Sequence, residues 1–171
     1  MISVLRRAAL VVAAMLVATS AADAQRFGAQ VNWGSDSDLG VGARAEFDLS
    51  GKLSQAGPLS KAFVIAAFDY YFMDCGSGVD CTYWELNPSL AIPIGPVERN
   101  LYVGAGINYA SMKVSIPGFF EASDSQTGIN LLGGMKFPLG SLSAFTEARI
   151  ALGGSEQIAL SFGVLFGGSA P

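Results

Sequence analysis

Glu46 and Asp48 stand two residues apart, a spacing that puts both carboxylates on one side of an extended chain. Paired carboxylates can act as general acid and base on a glycosidic bond. Here, both on one face of one segment, they read as part of an internal charge balance. The chain contains no histidine, so the commonest general base and metal ligand is missing. Asp36 and Asp38 flank a short polar segment that reads as a solvated turn, with weak calcium binding as the alternative. Gly104-x-Gly106 lacks the third glycine of a dinucleotide fingerprint. No catalytic constellation, cofactor site or metal site is expected.

Two further sets of residues carry chemical content. Cys75 and Cys81 lie close together in a Gly-rich polar segment and read as a disulfide in an exported chain. A metal is the alternative for that pair, with only Asp74 and Asp80 at hand as further ligands. The second set is Arg44, Lys136 and Arg149 against Glu46, Asp48, Asp69, Glu85 and Glu147, all within alternating apolar and polar segments. If those polar faces enclose a lumen, the charges must pair across it, because an unpaired buried charge is costly. Arg44, Asp69, Glu147 and Arg149 are expected at comparable depth, blocking the lumen.

The segments that must position these groups begin after residue 24. Arg6 and Arg7, the apolar stretch Ala8–Ala18 and the small-x-small phrase Ala22-Asp23-Ala24 form an export signal. Its apolar part is too short for a membrane helix, which needs about 20 residues. Cleavage is expected after Ala24, leaving 25–171 as one domain. The formal charge of −4 excludes a basic nucleic-acid footprint.

Period-two alternation then recurs through Phe27–Gly34, Leu39–Leu49, Ala62–Met73, Thr82–Ile94, Leu101–Ser111, Thr127–Phe137, Leu142–Leu152 and Gln157–Phe166. Leu39 to Leu49 is the cleanest case. Odd positions are apolar there, while Gly40, Gly42, Arg44, Glu46 and Asp48 take the other face. Pro88 and Pro93 weaken the fourth run as a central strand. Pro-containing turns follow the second, fourth and sixth runs. Longer or Gly-rich connections, including Lys113 to Gln126, fall on the opposite side. Eight strands near the 9 to 11 residues of a tilted membrane strand imply an all-β, eight-stranded antiparallel up-and-down transmembrane barrel.

Alternation alone does not say which face is inside. Glycine mixed with both signs of charge suits a cramped interior. Aromatics cluster at strand ends, as in membrane girdles: Trp33, Tyr70, Phe72, Trp84 and Tyr109 on one side, Phe27, Phe47, Phe137 and Phe166 on the other.

The alternating strands resemble the small eight-stranded outer-membrane barrels, the OmpA/OmpX-like and opacity-protein group. So do the phrases Ile92-Pro93-Ile94-Gly95 leading into Leu101 to Gly106, and Phe137-Pro138-Leu139-Gly140, together with the closing strand Ile158 to Phe166. The resemblance implies a bacterial outer-membrane location and contact with lipid and lipopolysaccharide. It also implies delivery by the barrel-assembly machinery, which reads the aromatic of the last strand. Here Phe166 is followed by Gly167-Gly168-Ser169-Ala170-Pro171.

The expected role is non-enzymatic: structural, adhesive or surface-interacting. Phe119 and Phe120 offer an apolar loop contact, or alternatively pack on the barrel rim. Two other functions stay open. One is a barrel binding or transporting a small solute or lipid, with Phe63, Val64 and Ile65 lining its pocket. The other is a soluble periplasmic lipocalin-like barrel with the apolar face inside.

Overall fold

The computed structural model describes residues 25–49, 53, 57–95 and 100–167; the expected export signal and the last four residues lie outside them. Eight strands form one closed sheet: β1 (Gln25–Gly34), β2 (Asp38–Asp48), β3 (Phe63–Tyr71), β4 (Asp80–Ile94), β5 (Leu101–Ile116), β6 (Phe120–Leu139), β7 (Leu142–Leu152) and β8 (Gln157–Phe166). Each pairs antiparallel with its neighbour in sequence, and β8 closes on β1 through Phe27↔Phe166 to Gly34↔Ala159. Closure leaves the barrel wall without the edges that an open sheet would expose in lipid.

The polarity is that of a membrane barrel. Gln30 and Asn32 of β1, Arg44 and Glu46 of β2, Asp69 of β3, and Glu85 and Asn87 of β4 are buried. The intervening Val31, Val41, Phe68 and Leu90 are exposed. The same alternation continues through β8, where Ser161 is buried and Leu160 and Phe162 are exposed. From Phe27 to Trp33, Leu39 to Phe47, and onward to Ile158 to Phe166, the outward positions of the wall carry no charged residue. Largest apolar patches on soluble monomers reach a few hundred Å². A band running all the way round a barrel fits hydrocarbon instead. A soluble lipocalin-like barrel would need the reverse arrangement, and that reading is set aside.

Two features depart from the sequence expectations. The segment Lys113 to Gln126 is not a loop. β5 and β6 stay in register up to Ile116↔Phe120, so the ladder continues far beyond the barrel wall. Only Pro117, Gly118 and Phe119 turn the chain, with Gly118 at φ +81°. Likewise Pro138 lies inside β6 opposite Ser143, and the turn is made by Gly140 and Ser141.

The prolines of β4 are accommodated in a central strand. Pro88 is paired with Ala66 on the β3 side, but the ladder toward β5 skips Asn87 and Pro88 between Leu86↔Tyr109 and Ser89↔Gly106. A residue without an N–H leaves a gap in one ladder only, and the register is the same on both sides of it.

Candidate functional site: the ion-paired lumen and the outer rim

Lumen side chains come from alternate positions of all eight strands. Their charges form two clusters. Toward the end that holds the β2–β3, β4–β5 and β6–β7 connections, Arg44 donates from Nη1 to Glu147 Oε2 at 2.8 Å and from Nε to Glu46 Oε1 at 3.0 Å. Lys136 pairs with the other oxygen of Glu46, and Tyr102 donates its hydroxyl to Glu147 at 2.8 Å. The Arg44 guanidinium lies over the Phe145 ring at 4.2 Å, and the Lys136 ammonium over Phe63 at 4.0 Å. Two cations thus meet two carboxylates. Because β2 and β6 are four strands apart in a ring of eight, the Lys136–Glu46 pair spans the lumen.

The second cluster lies toward the loop end. Arg149 Nη2 donates to Asp69 at 2.9 Å and to Glu85 at 3.1 Å, again crossing the barrel from β7 to β3 and β4. One cation faces two carboxylates, and side-chain amides supply the rest. Asp69 also accepts from Gln30 at 2.7 Å, Asn32 at 2.7 Å and Asn87 at 2.9 Å. Glu85 accepts from Tyr83 at 2.6 Å, from Asn87 at 3.2 Å and from Gln157. Asn87 itself accepts from Asn108 and Asn130, at 2.8 and 2.7 Å. Asp69 and Glu85 are 0 % exposed, a burial that carboxylates tolerate only when so fully hydrogen-bonded.

Arg44, Asp69, Glu147 and Arg149 therefore do not form one layer. Glu147 and Arg149 are neighbours on the lumen face of β7, yet they bond into different clusters. Residues two apart on a strand are separated by about 7 Å, enough for one to reach each way. The charged members are those the sequence points to. Gln30, Asn32, Asn87, Asn108, Asn130 and Gln157, which fall on the polar faces of the alternating runs, complete the second cluster with side-chain amides.

The lumen is filled above and below these clusters. Ile65, Ala91, Tyr102 and Leu132 pack together with Phe63 at one level, and Tyr71, Tyr83 and Ala110 with Met73 and Met112 at the other. Phe63 and Ile65 thus contribute to a packed plug and not to the open apolar pocket expected at the start of β3. Glycines make room for the large groups: a Cβ on Gly134 would fall 2.3 Å from the Tyr102 hydroxyl. Two outer loops are tied to the network, Ser37 donating to Gln157 at 2.8 Å and Ser155 lying 2.6 Å from the Tyr83 hydroxyl. Among the described residues, no group of His, Cys, Asp and Glu is arranged to hold a metal ion.

Outside the lumen, Phe68, Trp84 and Tyr109 form a chain of ring contacts at 6.0 and 5.6 Å toward the loop end. Phe27 meets Phe47 at 6.4 Å toward the other. The outer rim is acidic. Among the described residues, Asp36, Asp38, Asp74, Asp80, Glu121, Asp124 and Glu156 are exposed there, against the single cation Lys113, itself 3.0 Å from Glu121. Cys75 and Cys81 are joined in a disulfide that closes the loop beside the start of β4. Phe119 is 91 % and Phe120 57 % exposed at the hairpin tip, so neither packs on the barrel rim. The Glu46–Asp48 carboxylate pair does not act as a unit: Glu46 is turned into the lumen, and Asp48 is exposed at the end of β2.

No protein-family model and no curated sequence matches the chain. Solved structures do. The chain is similar to Neisserial surface protein A, with a TM-score of 0.55 at 13 % identity, covering 83 % of this chain and 94 % of that one. It is similar to Ail, the attachment invasion locus protein of Yersinia pestis, with a TM-score of 0.53 at 13 % identity over 83 % and 93 % of the two chains. The N-terminal β-barrel domain of Pseudomonas aeruginosa OprF gives 0.53 at 11 % identity over 84 % and 96 %. At such identities the likeness is one of fold. The chain has the eight-stranded antiparallel barrel architecture of small outer-membrane proteins.

Proposed function

We propose that this chain is a non-enzymatic protein of a bacterial outer membrane. It is exported by its first 24 residues, stands in lipid and lipopolysaccharide as a plugged barrel, and acts through its outer surface in a structural or surface-interacting role. The observation that carries this reading is the inverted polarity. The wall presents an uncharged apolar band outward, while seven ionised side chains are enclosed and paired across the barrel. An eight-stranded barrel has room only for its own side chains, and here that space is taken up by braced charge and packed rings. The surface is left as the working part, and the exposed hairpin tip with Phe119 and Phe120 supports that. In Ail, a barrel of the same fold, a complex with the heparin analogue sucrose octasulfate has been solved.

The test is cell fractionation combined with electrophoresis of unboiled and boiled samples. The expected outcome is recovery in the outer membrane, extraction only by detergent, and a folded band that migrates differently until heated. Release into the soluble periplasmic fraction without detergent would contradict the proposal.

A further inference from the structure

The projecting part of the sheet leaves a strand edge open. Beyond the barrel wall it consists of the start of β4, the end of β5 and the start of β6, joined by Asp80↔Ser115 and Ile116↔Phe120. On the β4 side, the Cys75–Cys81 disulfide ties the preceding loop to the strand. On the other side, pairing between β6 and β7 begins only at Ile129↔Leu152. No described strand pairs with the outer edge of β6 from Phe120 to Gln126. Such an edge presents a row of unpaired N–H and C=O groups, a ready template for one more strand.

Beside that edge is a cleft of about 230 Å³. Met112, Val114 and Ala122 give it an apolar wall, and Tyr83, Asp124 and Ser155 contribute its polar side. Ala122 and Asp124 face the cleft from β6 itself. A strand added to this edge would therefore point alternate side chains into the same space. The surroundings select by charge: among the described residues of this rim, seven exposed carboxylates stand against one lysine already paired with Glu121. A polyanion is repelled here, and a cationic chain is attracted.

We propose that the outer edge of β6, Phe120 to Gln126, receives an extended cationic polypeptide segment as an added strand, with an apolar side chain seated in the Met112–Val114–Ala122 cleft. This deepens the surface-interacting role proposed above and rests on it, by giving the partner a chemical class. Binding is measured on the purified, folded protein in detergent micelles. Its failure would leave the membrane assignment intact, and a failed fractionation would not alter the binding result.

The probe is a synthetic peptide alternating lysine and valine, about seven residues long to match the edge. Titration by calorimetry or fluorescence anisotropy should give saturable one-to-one binding. N-methylation of every second peptide nitrogen, on the side that faces β6, should weaken it at least tenfold. Glu121→Lys combined with Asp124→Lys should also weaken it at least tenfold, with heat-modifiable migration unchanged. A peptide alternating glutamate and valine and a sulfated oligosaccharide should not bind. Equal binding of the N-methylated peptide would overturn strand addition, since charge alone would then be at work. Equal binding of the glutamate peptide, or no binding of the lysine peptide at millimolar concentration, would overturn the assignment of a cationic partner.

Discussion

The lumen and the projecting β5–β6 hairpin are built from the same alternation and come to opposite ends. In the lumen, every second side chain points into an enclosed interior, and Arg44, Glu147, Asp69, Glu85 and Arg149 meet partners from across the barrel. In the hairpin both faces are wet, Phe119 stands free at the tip, and one strand edge is unpaired. The part of β6 before Ile129 measures roughly 30 Å along the strand. It is held by one ladder and an exposed Lys113–Glu121 pair, where the lumen is held by closure on all sides. The lesson is that alternation fixes which way a side chain points. Burial and closure decide whether its loss matters.

The largest effect is expected from taking the cation out of the second cluster. Arg149→Met leaves Asp69 and Glu85 buried without their shared partner, and should cost about 3–5 kcal/mol of folding stability. Urea unfolding in micelles, followed by gel mobility, reads this directly. Adding Asp69→Asn and Glu85→Gln to the same variant should restore much of the loss, since no uncompensated charge then remains. A smaller effect is expected on the lipid side: Phe162→Arg, near the middle of β8, should cost about 2–4 kcal/mol in the same assay. A loss near zero there would mean that this face is in water, and would break the contrast from the other side. Least of all should happen at the hairpin. Phe119→Ser with Phe120→Ser should shift stability by no more than about 0.5 kcal/mol, as should Lys113→Ala, which removes an exposed ion pair.

The sequence makes the strands and their faces legible because period two survives wherever one face is buried. Arg44 and Glu46 on β2, or Glu147 and Arg149 on β7, are set inside by the alternation alone once the polar face is taken as the lumen. The upper half of the β5–β6 hairpin was not so legible. Lys113 to Gln126 mixes Val114, Ile116, Phe120 and Ala122 with polar residues and has no fully buried face, so only Pro117-Gly118 between two short runs marks an exposed hairpin there. The split into two charge clusters was hidden for another reason. Which lumen groups meet depends on how β2, β3, β4, β6 and β7 are staggered around the ring, and no single strand carries that information. The prolines of β4 misled in the opposite direction. By the local rule they weaken the run as a central strand, whereas the closed sheet tolerates one interrupted ladder at Asn87 and Pro88.

The central claim is that braced charge seals this barrel, and electrical recording of the purified protein in a planar lipid bilayer tests it most directly. Wild type should insert with no large, steady conductance. Arg149→Met, Asp69→Asn and Glu85→Gln combined, which remove the bracing of the second cluster, should open to brief events. A large and sustained open-channel current from the unaltered protein would contradict the account.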